Sequence, residues 1–224
     1  MKLSSLLEIS PGVTAVIGGG GKTTLLWTLG QELSGNGHCV LLYTTTKILP
    51  FPDIPCAKSL AELEELRERH RLLCAGTMLP ETGKLTAMDA PMERLASGFD
   101  YVLVEADGAA RRPLKAHAAH EPVIPPEANQ TICVVGASGF GRSISEVAHR
   151  PDRYALLAGV RADDAATPET EAAVLKAEAL HDRVYINQAE TASRMADARA
   201  LAALLDCPAL AGSLQKGECV SCSL

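Results

Sequence analysis

The chain has 224 residues, enough for one α/β domain, and at 47% hydrophobic but only 4% aromatic it can bury a core that must be mostly aliphatic. A net charge of −6 and a pI near 5.5 lack the basic footprint of a nucleic-acid-binding protein. No stretch reaches the ~18–20 apolar residues of a membrane span. Glu8 also breaks the N-terminal apolar run too early for a signal peptide, so a cytoplasmic protein with its seven cysteines reduced is expected.

In chain order, Val13–Ile17 is an apolar run of strand character, and Leu25–Leu33 carries apolar residues at helical spacing. Between them lie Gly18, Gly19, Gly20, Gly21, Lys22, Thr23 and Thr24. Strand, glycine loop, Lys-Thr and helix form the layout of a phosphate-binding loop. Glycines let backbone N–H groups turn toward one anion without Cβ clashes. The start of the following helix adds partial positive charge. Lys22 reaches the β- and γ-phosphates, and the Thr23 hydroxyl ligates Mg²⁺. Val16 stands where the usual motif has its first glycine. The loop is more similar to the Gly-Gly-x-Gly-Lys-Thr-Thr variant of MinD/ArsA-like NTPases. That branch has a lysine where this chain has Ile17, so no second lysine acting across a dimer is implied.

A second strand is expected at Cys39–Tyr43, a helix at Ser59–Arg71 with Ser59 as N-cap, and a strand at Leu72–Ala75. Residues 76–100 read as a small hairpin or irregular insertion, with Lys84–Ala87 as an edge strand. Strands follow at Tyr101–Val104 and Gln130–Val135, then helices at 151–157 and 169–180. A strand at Arg183–Ile186, a helix at 191–205 and a final strand at 209–214 close the chain. The alternation predicts a single domain over 1–224 with a doubly wound, mostly parallel sheet, a P-loop NTPase-like three-layer sandwich.

Ligands in such sheets gather at the C-terminal strand ends. There Glu105 and Asp107 close the strand from Tyr101. Residues two apart share a face while a strand persists, so both acids can serve Mg²⁺ and the transferring phosphoryl group, alongside Lys22. The alternative is an Asp-Gly turn with a solvated Glu. Thr45, within Thr44–Thr46, ends the second strand and offers a hydroxyl to Mg²⁺ or a water, or else the run simply stabilises a strand end. Asn187 and Glu190 occupy the place of the Asn-Lys-x-Asp guanine reader in eroded form, or form a plain strand-to-helix turn. The nucleotide is therefore ATP or GTP.

Arg111, Arg112 and Lys115 follow the acidic strand end and suit a phosphate or anionic substrate, or form a solvated basic loop. His117 and His120 lie among prolines that disfavour a helix presenting both to zinc. Cys219 and Cys222 read as a frayed tail with incidental thiols, in preference to a redox pair or two ligands of a site shared in a homodimer.

The glycine loop, the Thr44–Thr46 run, Glu105-Ala-Asp-Gly-Ala-Ala with Pro113-Leu-Lys115, Glu121-Pro-Val-Ile-Pro125 and His149-Arg-Pro151 together resemble the YqeC-type family. The resemblance covers roughly residues 10 to 190. It implies an accessory role in maturing a selenium-containing molybdenum cofactor or its hydroxylase, through nucleoside triphosphate hydrolysis or phosphoryl transfer. A molybdenum hydroxylase or a cofactor intermediate would be the partner. By family position Lys115 and Glu121 line the site. The competing readings are a nucleotide-driven delivery or switch protein with no small-molecule substrate, and an ATP-dependent ligase or kinase of an unrelated pathway.

Overall fold

The structure, a computed structural model, describes residues 2–222. The chain divides into two compact units: residues 1–16, 23–107 and 123–130 in the first, and 17–22, 108–122 and 131–224 in the second.

The first unit carries α1 (Leu3–Leu6), β1 (Gly12–Gly18), α2 (Lys22–Gly35), β2 (Val40–Thr44), β3 (Lys47–Ile48), β4 (Cys56–Ala57), α3 (Leu60–Arg67), β5 (Leu72–Ala75), β6 (Thr77–Leu79), β7 (Lys84–Thr86), α4 (Met92–Ala96) and β8 (Tyr101–Glu105). Its main strands run in the order β1-β8-β2-β5-β4, all parallel. Parallel neighbours need crossovers, and α2 and α3 supply them. On α2, Leu25, Leu29 and Leu33 are buried at a spacing of four, which is the stripe that packs on the sheet. Gly30 lets α2 approach closely there: a Cβ would stand 3.0 Å from both Leu42 Cδ2 and Leu72 Cδ1. Val13, Leu41, Tyr43, Leu73, Val102 and Val104 lie in one hydrophobic cluster. Ser59 caps α3 by accepting the Glu62 N–H. The expected edge strand at Lys84–Ala87 is instead the central strand of a small antiparallel sheet, β3-β7-β6. Its outward backbone groups pair with Lys47–Ile48, too short a run to announce itself in the sequence.

The second unit carries β9 (Leu114–Lys115), β10 (Ala128–Gly136, whose first residues belong to the first unit), a 3₁₀ turn at Ala137–Gly139, α5 (Ile144–Val147), β11 (Ala148–His149), α6 (Pro151–Ala158), α7 (Pro168–Glu178), β12 (Arg183–Asn187), α8 (Ala192–Leu204), β13 (Ala209–Ser213) and β14 (Glu218–Ser221). Strands β10, β12 and β13 are parallel neighbours, and β9 pairs with β11. Thr167 and Thr170 form a reciprocal capping box at the start of α7. The expected frayed tail is corrected: β14 pairs antiparallel to β13, from Ser213 opposite Glu218 to Leu210 opposite Ser221. The Cys222 N–H continues the ladder to the Ala209 carbonyl. Mostly parallel strands joined through helices make this the doubly wound, P-loop NTPase-like α/β architecture the sequence predicts. Among the described residues no helix is long and apolar enough to cross a membrane.

Candidate functional site

In the first unit the acids and hydroxyls meet at one end of β8. The register places Glu105 beside Val16 of β1 and beside Thr44 of β2. Its side chain is 6% exposed and accepts the Thr23 hydroxyl at 2.7 Å through Oε2. Its carbonyl accepts the Thr44 hydroxyl at 3.0 Å and the Thr45 N–H at 3.1 Å. Thr45 turns its own hydroxyl to the Val123 carbonyl at 2.7 Å, so it holds the segment after Pro122. Asp107, two residues past Glu105, is fully buried. An all-oxygen donor set of a hydroxyl bonded to a carboxylate fits Mg²⁺, which takes few protein ligands and relies on substrate oxygens for the rest. Among the described residues no group of three or more His, Cys, Asp or Glu could hold a metal by itself.

In the second unit the glycine loop is built by close backbone approach. Gly18, Gly20 and Gly21 have φ of +93°, +73° and +123°, the region glycine tolerates. A Cβ on Gly19 would lie 2.6 Å from the Pro113 carbonyl oxygen, and one on Gly21 would lie 2.6 Å from Asn187 Nδ2. The Gly19 N–H donates to the Val134 carbonyl at 2.8 Å and the Gly20 N–H to the Arg112 carbonyl at 3.2 Å. These two amides are thus committed to the protein, contrary to the simple picture of a loop with every N–H turned to an anion. Lys22 is 5% exposed and donates to the Gly18 carbonyl at 2.7 Å, folded back over its own loop. Thr24 is exposed on the first turn of α2.

Asn187 and Glu190 do structural work. Asn187 Nδ2 donates to the Gly20 carbonyl at 2.8 Å while its Oδ1 accepts the Leu214 N–H at 3.0 Å. Glu190 accepts from Ser213 at 3.0 Å and from Arg194 at 3.2 Å. Both polar ends of the Asn side chain are engaged in bracing the loop.

The residues of the basic run differ in their settings. Arg111 is exposed in a left-handed turn with Ala110, at φ +61° and +46°. Arg112 contributes its carbonyl to Gly20. Lys115 lies on β9, is 3% exposed, and donates to the Gly108 carbonyl at 2.5 Å. It pairs with Glu121 at 3.4 Å, and Arg150 pairs with the same Glu121 oxygen at 2.9 Å. Burial pushes the Glu121 carboxyl up, but the Arg150 hydrogen bond and the Lys115 charge outweigh it and bring it down to about 2. Lys115 and Glu121 are therefore brought together.

Two features escaped the sequence reading. One is a cavity of about 380 Å³ in the first unit, lined by Thr23, Thr24, Trp27, Gln31, Phe51 and Asp53. Trp27, the single tryptophan, is 43% exposed, on the face of α2 that also carries the exposed Thr24 and Gln31. Its place four residues after Thr23 on α2 is the only sequence signal of it. The other is a buried polar cluster in the second unit. The His117 ring Nδ1 lies 2.7 Å from Glu178 Oε2, and the His117 backbone N–H donates to Oε1 of the same carboxylate at 2.6 Å. Nearby, the Tyr154 hydroxyl lies 3.2 Å from Thr170 and hydrogen-bonds Glu171. Glu171 is fully buried, and desolvation pushes its carboxyl up to about 8.

With this geometry in hand, comparison with known proteins decides the family. The family described as YqeC protein matches residues 14–152. The chain belongs to the YqeC family. Uncharacterized protein YqeC of Escherichia coli (strain K12) is 33% identical over 163 residues, 68% of this chain and 63% of that relative. The matched region therefore spans less than two thirds of the relative's length. Among solved structures, the hydrogenase maturation factor HypB from Archaeoglobus fulgidus is similar over 96% of this chain and 87% of its own, with TM-score 0.44 and 13% identity. HypB from Helicobacter pylori, solved in complex with nickel, covers 96% of this chain and 84% of its own, with TM-score 0.42 and 12% identity. The family match includes the glycine loop, the β8 acids and the Lys115–Glu121 pair.

Proposed function

We propose that the chain is a Mg²⁺-dependent nucleoside-triphosphate-binding protein that hydrolyses ATP or GTP, or passes the γ-phosphoryl group to an acceptor. The observation that carries this reading is the Thr23–Glu105 hydrogen bond, next in sequence to a lysine already folded over the glycine loop. In this reading Gly18–Thr24 hold the phosphates. The Lys22 ammonium leaves the Gly18 carbonyl for the β- and γ-phosphate oxygens, where charge develops during transfer. Thr23, with Glu105 behind it, would hold Mg²⁺, which would supply charge neutralisation at those oxygens. Asp107, buried beyond the strand end, positions a water or acceptor hydroxyl. Asn187 acts as a positioning residue for the loop.

The cavity beside Thr23 and Thr24 favours a small-molecule acceptor over a protein partner. Its size is that of a small ligand site, and Trp27, Phe51 and Asp53 are among the residues that line it. An acceptor with a flat ring and amino donors suits those groups. The family resemblance supports a place in maturing a selenium-containing molybdenum cofactor or its hydroxylase.

Titration with Mg²⁺ and triphosphate, followed by the emission of Trp27, tests the reading. A saturable change that is lost in Lys22→Ala, accompanied by phosphate release in the wild type alone, is expected. Equal hydrolysis by wild type and Lys22→Ala would remove the proposal. Turnover that rises only on adding a protein partner would move the function to a delivery switch.

A further inference from the structure

The sequence scatters Cys56 and Cys74 eighteen positions apart, yet the fold makes them direct register partners on the parallel strands β4 and β5. Parallel neighbours lie about 4.8 Å apart, inside the roughly 4.4–6.8 Å Cα separation that a disulfide spans. Partners in register project to the same side of the sheet, and here the two thiols are close enough to shift each other's pKa in opposite directions. Their settings differ in a useful way. Cys56 is partly exposed on the last strand of the first unit's sheet, whereas Cys74 is fully buried. β4 is only two residues long, and the backbone around it is pinned by Cys74 N–H to the Pro55 carbonyl at 2.9 Å and Gly76 N–H to the Ala57 carbonyl at 3.1 Å. The pair is thus held together on both sides by the ladder.

We propose that Cys56 and Cys74 are a two-electron redox site, a cross-strand dithiol that closes to an intramolecular disulfide and reopens by exchange with small-molecule thiols. The co-reactant is a low-molecular-weight disulfide, RSSR. The Cys56 thiolate attacks one sulfur of RSSR, forming a mixed disulfide and expelling RS⁻. Cys74 then gives up its proton and attacks the Cys56 sulfur, expelling the second RS⁻. The two released thiolates take up the two protons. The protein is oxidised by two electrons and RSSR is reduced to two RSH. The order of attack follows from the surroundings. Interaction with Cys74 lowers the pKa of Cys56, whereas that same interaction and burial push the Cys74 thiol up. The exposed member is therefore the nucleophile, and the buried one resolves.

The full chain, incubated in glutathione buffers from reduced to oxidised, is digested with trypsin without reduction and mapped by mass. Tryptic peptides 48–58 and 72–84 each contain one cysteine, so the expected product is these two joined, two hydrogens lighter than their sum. The joined species should vanish on return to reduced glutathione. Cys74→Ser should stop at glutathione-modified Cys56, and Cys56→Ser should form neither species. If wild type accumulates glutathione on Cys56 without the 48–58/72–84 product, or if Cys56 pairs with another cysteine, the proposal is overturned. The wild-type map alone decides this if a serine variant fails to fold. Cys219→Ser/Cys222→Ser, run in parallel, should leave the product unchanged; its loss there would equally overturn the assignment.

Discussion

The Thr23 hydroxyl donates to Glu105 Oε2 at 2.7 Å across 82 residues of chain. Glu105→Gln keeps an acceptor for Thr23 and removes the charge. If the pair serves Mg²⁺, turnover should fall by ~10²-fold or more while the melting temperature moves little. Asp107→Asn should fall similarly if it positions water. Near-normal phosphate release in both variants, measured at saturating Mg²⁺, would reduce the strand end to a structural role.

Gly19→Ala tests the loop's close packing. A Cβ there meets the Pro113 carbonyl oxygen at 2.6 Å and the Arg112 carbonyl oxygen at 2.7 Å, both backbone groups that cannot swing aside. The loop must shift, so we expect about 1–3 kcal/mol of destabilisation and loss of triphosphate binding. Denaturant unfolding and a binding titration measure the two effects. Wild-type behaviour in both would show that the loop yields.

Glu121 is the charge that neutralises both Lys115 and Arg150. Glu121→Ala leaves the Lys115 ammonium buried without its carboxylate and should cost on the order of 3–5 kcal/mol. The wild-type contribution has a definite pH sign. The folded carboxyl sits at about 2. An unfolded one sits at about 4.3. Its stabilisation is therefore complete above the unfolded value and is lost as pH falls through the folded one. Acid unfolding of wild type and Glu121→Gln should converge below that window; curves that stay parallel would refute the assignment.

Glu171 has the opposite sign. Its folded carboxyl is pushed up to about 8 by burial. Between the unfolded value of about 4.3 and that figure, the unfolded chain gives up a proton that the folded one keeps. Stability should therefore decline as pH rises through this range. Glu171→Gln should flatten the decline, most visibly in melting temperatures measured from pH 5 to 8. An unaltered slope in the variant would assign the decline to other groups.

The main strands were legible because their signal is local. Val13–Ile17 and Tyr101–Val104 are apolar runs, and each was found within a residue or so of β1 and β8. What was not legible depends on partners far along the chain. A charge run shows Lys115 beside Arg111 and Arg112, but Arg150, which meets Glu121 next to the β9–β11 pairing, lies 29 residues from it in the chain. Asn187 looked like a base reader by position, whereas its bond to Gly20 spans 167 residues. The tail between Gly217 and Cys222 has no strong alternation, and its strand exists because β13 offers an open ladder. Cys56 and Cys74 become neighbours only through register.

Asn187 has one further consequence. A planar carboxamide gripped at both ends is a stiff coupling rod: it cannot lengthen, so a displacement of Gly20 must be matched by Leu214 or break a bond. Leu214 opens the turn into β14, which carries Cys219. The glycine loop is thereby geared to the C-terminal hairpin, and if it takes a nucleotide, occupancy should register as altered hydrogen exchange at the Leu214 amide. Asn187→Ala should uncouple the two, leaving that amide's exchange indifferent to added nucleotide, so that a nucleotide response persisting in the variant would point to another route.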